Sequence, residues 1–292
     1  MAQNIVATTD SPALTVPQML RDPLFIPALM LSGLDQLFVA EKILRPAGKP
    51  EGGTVVYYES TPLFAGSSSE YVEEFGEIPV AVGQLGTPKS VRARKRALGV
   101  TISQEMQDRN AVDLVNTQIS QARNTIVSDF DATFWTALLA ASANTFAATT
   151  VWASTTHLRK DVLAARKLIL DQKAGFMPDT LVLNPTNAND IMTSAEMTQV
   201  YTGNVADQNP LLTGRINFPF VGLDVMQTYA VPAGTAVLVQ KGRVGGYADE
   251  RPLQATPLYK WKPEAETWRS DLLRTTAIFI DQPKAATIIT GI

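Results

Sequence analysis

Hydrophobic residues at Val112, Val115, Ile119, Ala122, Ile126, Phe130, Phe134 and Leu138 recur every three or four positions, the spacing of one face of an α-helix. The pattern predicts a single helix over about Ala111–Ala141, roughly 45 Å long and so able to serve as a strut. Asn110, with Asp113 three residues on, reads as a capping box at its start. A second helix is predicted to begin near Thr155 or Thr156, to bury Leu158, Val162, Leu163 and Leu168 with its charges in water, and to stop at Gly175.

Elsewhere the period falls to two. Between Gly48 and Leu98, GTVVYYES is β-branched and aromatic, LFAGSSSEYVEEFGEIP is loop-like, and IPVAVGQLGTPKSVRARKRAL resumes alternation, which predicts a long, irregular β-hairpin. Two limbs of about 20 residues would reach on the order of 60 Å, more than a compact domain needs, so the hairpin is expected to touch another molecule. Ahead of it, residues 1 to about 47 read as an arm. Pro12, Pro17 and Pro23 prevent a long helix there, while Leu24–Leu44 carries enough hydrophobes to dock elsewhere. Downstream, DTLVLNP is a short strand halted by Pro185, NANDIMTSAEMTQVYTG a polar helix and loop, and LDVMQTYAVPAGTAVLVQ a pair of strands around a Pro-Ala-Gly turn. A last hairpin turning at Pro263–Glu266 and a closing strand, AATIITGI, complete an α+β pattern.

Composition removes most enzyme chemistry. The chain has 292 residues, no cysteine and one histidine, His157, so disulfides, thiolate metal sites and paired-imidazole zinc centres are excluded. A nucleophile-base-acid triad would have to recruit His157, around which no catalytic signature is spaced. Gly242–Gly246 (GRVGG) lacks the spacing of a phosphate-binding loop and reads as a bend. The N-terminus has neither the basic nor the apolar region of a secretory signal. The longest uncharged stretch, Ala132–Leu158, is too rich in Ser, Thr and Asn in its second half to span a bilayer, so no membrane association is expected.

With 25 basic and 28 acidic residues the net charge is −3, which argues against a dedicated nucleic-acid binder. Charge is nevertheless sorted along the hairpin. Glu70, Glu73, Glu74 and Glu77 gather at its expected tip with no base among them, while Lys89, Arg92, Arg94, Lys95 and Arg96 gather on the returning limb. A period of two puts Arg92, Arg94 and Arg96 on one strand face. Two solvated surfaces are one reading. The sharper one is that the acidic tip of one subunit lands near the bases of its neighbour, making all eight of Glu70, Glu73, Glu74, Glu77, Arg92, Arg94, Lys95 and Arg96 inter-subunit contacts. Weak, salt-sensitive contact of the bases with phosphate is the secondary reading.

The order of these parts resembles the major capsid proteins of tailed bacteriophages with the Hong Kong 97-type fold. The likeness rests on an extended arm, the long hairpin, the strut helix, a helix over 157–174, LVLNP at Leu181–Pro185, VPAGTAVLVQ at Val231–Gln240, and a strand segment at Trp268–Asp281. It implies an α+β capsid fold: an N-terminal arm (1–47), the hairpin or E-loop (48–99), a peripheral P-domain with the spine helix (100–152), an axial A-domain (153–248) and the C-terminal strands of the P-domain (249–292). It further implies a non-enzymatic virion protein, made in the host cytoplasm and without cofactor or metal. Such a subunit assembles with itself into pentamers and hexamers around double-stranded DNA, which it touches weakly and without sequence preference. A separate scaffolding protein, or prior cleavage, is implied, since no long charged helical segment precedes the arm, and portal and decoration proteins are the further partners that the resemblance implies.

Two other readings remain. An encapsulin-type compartment shell shares the architecture, although Pro12 and Pro17 disfavour the cargo-binding helix with which such shells usually begin. A hydrolase using Asp271 and Asp281 would need the chain to bend sharply, because ten residues of strand hold them roughly 33 Å apart. Some capsid relatives also form an isopeptide cross-link from an E-loop lysine, and residues 50–88 contain none. Purified shells should therefore run as a single band in denaturing gels; a higher-mass ladder with its linkage mapped to Lys49 or Lys89 would overturn this expectation.

Overall fold

The computed structural model describes residues 15–32, 38–62, 64–65, 68–141, 143–154, 157–194 and 220–292. Pro12, the helix start expected at Thr155 or Thr156, and the polar stretch from residue 195 to 219 lie outside the described residues. The arm folds into three short helices, α1 (Val16–Arg21), α2 (Phe25–Leu31) and α3 (Val39–Ile43), followed by a two-residue strand, β1 (Arg45–Pro46). Pro17 and Pro27 sit in first turns, where a missing N–H costs little. Val16, Met19, Ile26, Met30, Phe38 and Ile43 are all buried in the main core, so the arm supplies part of a core that it could not form alone.

Strands β2 (Thr54–Glu59) and β3 (Thr87–Arg92) form the hairpin, and β4 (Arg94–Ser103) carries the chain back into the body. Ser103 caps α4 (Gln104–Asp108), its hydroxyl accepting from the Met106 N–H at 3.3 Å. The strut is α5 (Val112–Ala140), about 43 Å long, with Val115, Ile119, Ala122, Ile126, Phe130, Phe134 and Leu138 buried as the spacing predicted. Its capping box does not form. Asn110 adopts a left-handed conformation (φ 48°), and its Oδ1 accepts from the Val16 N–H at 2.8 Å, tying the arm to the strut instead of capping it.

The remaining elements are β5 (Asn144–Ala147), α6 (Leu158–Leu170), β6 (Thr180–Leu183), α7 (Pro185–Thr193), β7 (Asp224–Gln227), β8 (Thr235–Val239), β9 (Gly246–Ala255), β10 (Tyr259–Lys262), β11 (Thr267–Phe279) and β12 (Ala286–Thr290). Helix α6 departs from expectation in its face. Leu158, Val162, Ala165 and Ile169 are buried, whereas Leu163 and Leu168 point outward because each lies one position off that stripe. Nor do all its charges face water: Asp161 is buried and accepts from both the backbone N–H and the hydroxyl of Thr149.

Two sheets organise the molecule. In the first, β4 lines one edge of β11, and the other edge is taken first by β10 and then by β9, with β1 added in parallel to β9. The second runs β5-β12-β8-β6-β7. The two strands expected to pair around Pro-Ala-Gly, β7 and β8, instead flank β6. Alternation along this sheet separates two cores: Val182, Val237 and Val239 face the one built on α5, while Leu181, Leu183, Ala236 and Leu238 face the one under α6.

Inside the first core, Asp131 of α5 accepts from the Val39 and Ala40 N–H groups at the start of α3, at 3.3 and 3.0 Å. Burial pushes its carboxyl above the ordinary value of 3.8 in spite of those two bonds. The folded state therefore keeps this proton to a higher pH than the unfolded chain, so its stabilising effect is fully present in acid and is lost as pH rises through the folded-state pKa. Asp131→Asn, which keeps one carbonyl acceptor but cannot titrate, should gain on the wild type in urea midpoint as the buffer is raised from acid to neutral pH. Asp131→Ala, which leaves two amides unpaired, should lose about 1–3 kcal/mol.

Candidate assembly interface

The hairpin is a projection with a narrow neck. Six register pairs, from Thr54↔Arg92 to Glu59↔Thr87, hold β2 to β3, and Lys89 pairs with Glu59 across the ladder. The root is fixed to the body at two points. The Tyr57 ring lies against Phe279 with centroids 5.2 Å apart, and the Ser60 N–H donates to the Asp281 carbonyl at 2.8 Å. At the neck, the Gly86 N–H donates to the Thr61 hydroxyl. A Cβ on Gly86 would come within 2.0 Å of the Glu59 carbonyl oxygen, so only glycine fits there.

Beyond the neck the ladder stops. The alternation in IPVAVGQLG predicts a returning strand from Ile78, but regular pairing begins only at Thr87, since no described residue of the opposite limb pairs with it. Among the described residues of this segment, Phe64, Tyr71, Phe75, Ile78, Val80, Val82 and Leu85 are all largely exposed. Apolar side chains of this number on one segment mark a surface that another molecule covers. Sequence reasoning saw the segment as loop and strand and missed this uncovered row, although the Ile78, Val80, Val82 spacing carried the signal.

Glu70, Glu73, Glu74 and Glu77 lie in this outer segment, exposed and without an ion-pair partner among the described residues. The five bases are divided. Lys89 and Arg92 belong to β3, and Arg94, Lys95 and Arg96 to β4, with a break at Ala93 where the chain changes from one sheet to the other. Lys89 is taken by Glu59, and Lys95 is exposed. Arg92, Arg94 and Arg96 nevertheless meet, as the period of two predicted, around one cavity of about 340 Å³ at the hairpin root. Thr133 and Ala137 of α5, Thr276 and Ile278 of β11, and Ser90 and Val91 of β3 complete its wall, which contains no carboxylate. Arg96 is held in place by the Asp129 carbonyl at 2.7 Å and by the Thr133 hydroxyl.

The chemistry expected of an enzyme is not gathered in one place. Asp271 accepts from Arg269 and from the Tyr259 hydroxyl, and Asp281, past the far end of β11, accepts from Arg45. A larger cavity of about 630 Å³ beside the hairpin root has Asp281 as its one carboxylate and no histidine in its wall. His157 lies at the start of α6. Among the described residues no three His, Asp or Glu side chains are placed to hold a metal, and no helix is long and apolar enough to cross a membrane.

A strut helix beneath a sheet, a second sheet with its own core, and a hairpin projecting from their junction together define the Hong Kong 97-type capsid fold. Solved structures with the same arrangement include the capsid of the cyanophage P-SCSP1u, 12% identical with a TM-score of 0.64 over 87% of this chain and 88% of that one. A structure from Microbacterium phage Oxtober96 is 14% identical with a TM-score of 0.62, covering 87% and 90%. A virus-like particle from Pyrococcus furiosus is 11% identical with a TM-score of 0.59, covering 90% and 97%. A family model described as phage capsid protein matches residues 86–289, and the chain belongs to that family. No curated protein matches it in sequence.

The neck offers a local test of the hairpin. Gly86→Ala should strain the Glu59–Thr61 turn by about 1–3 kcal/mol, read as at least about fivefold faster amide hydrogen exchange across β2 and β3 with unchanged protection in β6, β8 and β12.

Proposed function

We propose that this chain is the major capsid protein of a tailed double-stranded DNA bacteriophage, a non-enzymatic virion subunit that assembles into the pentamers and hexamers of an icosahedral head. The observation that carries this reading is the outer hairpin segment, Phe64–Leu85, whose large apolar side chains are left exposed by the described residues of the subunit. A second copy of the chain supplies that cover, and closed symmetry multiplies each weak contact over the shell. Membership of the phage capsid family supports the same conclusion. The proposed domains are a P-domain (100–152 with 249–292) around α5 and an A-domain (153–248) under α6, with the arm (1–47) and hairpin (48–99) as extensions; β12 joins the sheet of the A-domain, and Trp152, Ile289 and Ile292 pack in the core under α6. Scaffolding, portal and decoration proteins, and weak contact with packaged DNA, complete the proposed set of partners.

An encapsulin-type compartment is the second reading, favoured by the likeness to a virus-like particle over nearly all of that particle's chain. Negative-stain electron microscopy and sedimentation of the purified protein at moderate salt should show closed shells or rings of five and six. Replacing residues 61–85 with a short Gly-Ser turn should leave a folded monomer. Shells carrying protein cargo in place of nucleic acid would favour the compartment, and a wild-type chain that stays at 31.6 kDa at every salt and protein concentration would overturn assembly of the chain by itself, leaving only a scaffold-dependent shell.

A further inference from the structure

Elsewhere in this molecule, three arginines have their counter-charges close by. Arg45 pairs with Asp281, Arg269 with Asp271, and Arg274 with both Glu41 and Asp249. Arg92, Arg94 and Arg96 surround one cavity with no carboxylate in its wall and none in an ion pair with them among the described residues. Three like charges so placed repel one another, and the methyl groups of Val91, Ala137 and Ile278 reduce the water that would screen them. The cavity is therefore built for an incoming anion.

We propose that its occupant is the acidic segment Glu70–Glu77 of a second copy of this chain, an inference that rests on the shell reading above. That segment has the complementary defect. Four carboxylates in eight residues carry no base among them and have no ion-pair partner among the described residues, and between them stand the exposed Tyr71, Val72 and Phe75. Carboxylates thus meet guanidiniums, whose planar fork binds them in two-point fashion, while the aromatic groups meet the apolar part of the wall. Arg96, fixed by the Asp129 carbonyl and Thr133, provides a preorganised donor that loses little freedom on binding. Such a contact joins the far end of one hairpin to the root of the next. It is heterologous, so each copy both gives and receives, and repetition by rotation closes a ring.

The test separates this inference from the shell reading by using both peptide binding and assembly. Arg92→Glu/Arg94→Glu leaves the hydrogen-bonded Arg96 intact and should keep the circular dichroism and melting profile of the wild type. It should lower the fraction sedimenting as rings or shells at least tenfold, as should Glu73→Lys/Glu74→Lys, and the four substitutions together should restore assembly. A fluorescent peptide of residues 68–78 should bind wild-type monomer at least tenfold more tightly than Arg92→Glu/Arg94→Glu monomer, whether or not shells form. Normal assembly of either folded double variant, failure of the combined variant to recover, or equal peptide binding to both monomers would overturn the inference while leaving the shell reading intact. So would loss of assembly in the arginine variant alone accompanied by loss of binding to a short DNA duplex, which would make phosphodiester the occupant. A wild-type chain that binds the peptide but forms neither rings nor shells would instead overturn self-assembly of the chain alone, and not this contact.

Discussion

Ten consecutive register pairs between Arg94–Ser103 and Thr267–Thr276 hold β4 to β11 without a bulge, and most of the architecture takes its position from that ladder. Because β4 is committed to β11 up to Arg94, the chain one residue earlier must leave the sheet, and the hairpin therefore projects from the edge of the body rather than folding onto it. The same ladder sets α5 beneath β4 and puts Thr276 and Ile278 of β11 opposite Thr133 and Ala137 of α5. That is the geometry of the arginine cavity. The far edge of β11 fixes β9 and β10, and the chain leaving its end presents Asp281 to the hairpin root and to Arg45 of the arm.

A charge buried in the middle of this strand locks the arm to the sheet. Arg274 is almost fully enclosed, donating to Asp249 of β9 and Glu41 of α3 while its guanidinium stacks over Phe130, 4.3 Å from the ring centroid. Burial works against its charge, but the two carboxylates outweigh that cost and hold it protonated. Removing one partner from such a pair leaves an uncompensated charge in a low dielectric, a change that typically costs about 3–5 kcal/mol. Arm, strut and sheet therefore stand or fall together.

The hairpin follows the opposite principle. Its neck is tightly determined by Gly86, by the Glu59–Lys89 pair and by contacts with Phe279 and Asp281, whereas its outer segment has neither ladder nor core. A subunit that buries its own interactions at the root and exposes apolar and acidic groups at the end is suited to association. The unpaired arginines lie where the two regimes meet.

The sequence by itself determined whatever depends on neighbours along the chain. Spacing of three and four specified α5 because each residue of a helix face is set by local geometry, and alternation with turn residues located β6, the last hairpin and β12. Pro23 placed the break between α1 and α2. The bases at Arg92, Arg94 and Arg96 were legible as one face for the same reason, since a period of two survives the break at Ala93. Tertiary structure alone decided which partners those elements found. Asn110 bonds Val16 rather than the helix it precedes, Leu163 and Leu168 turn outward because β5 and β12 seat α6 on another stripe, and Asp131 and Asp161 enter cores because distant backbone amides and a hydroxyl receive them. Ile78–Leu85 carries the pattern of a strand yet forms none, because a strand is completed by hydrogen bonds from a second segment and no described residue of this subunit provides them there.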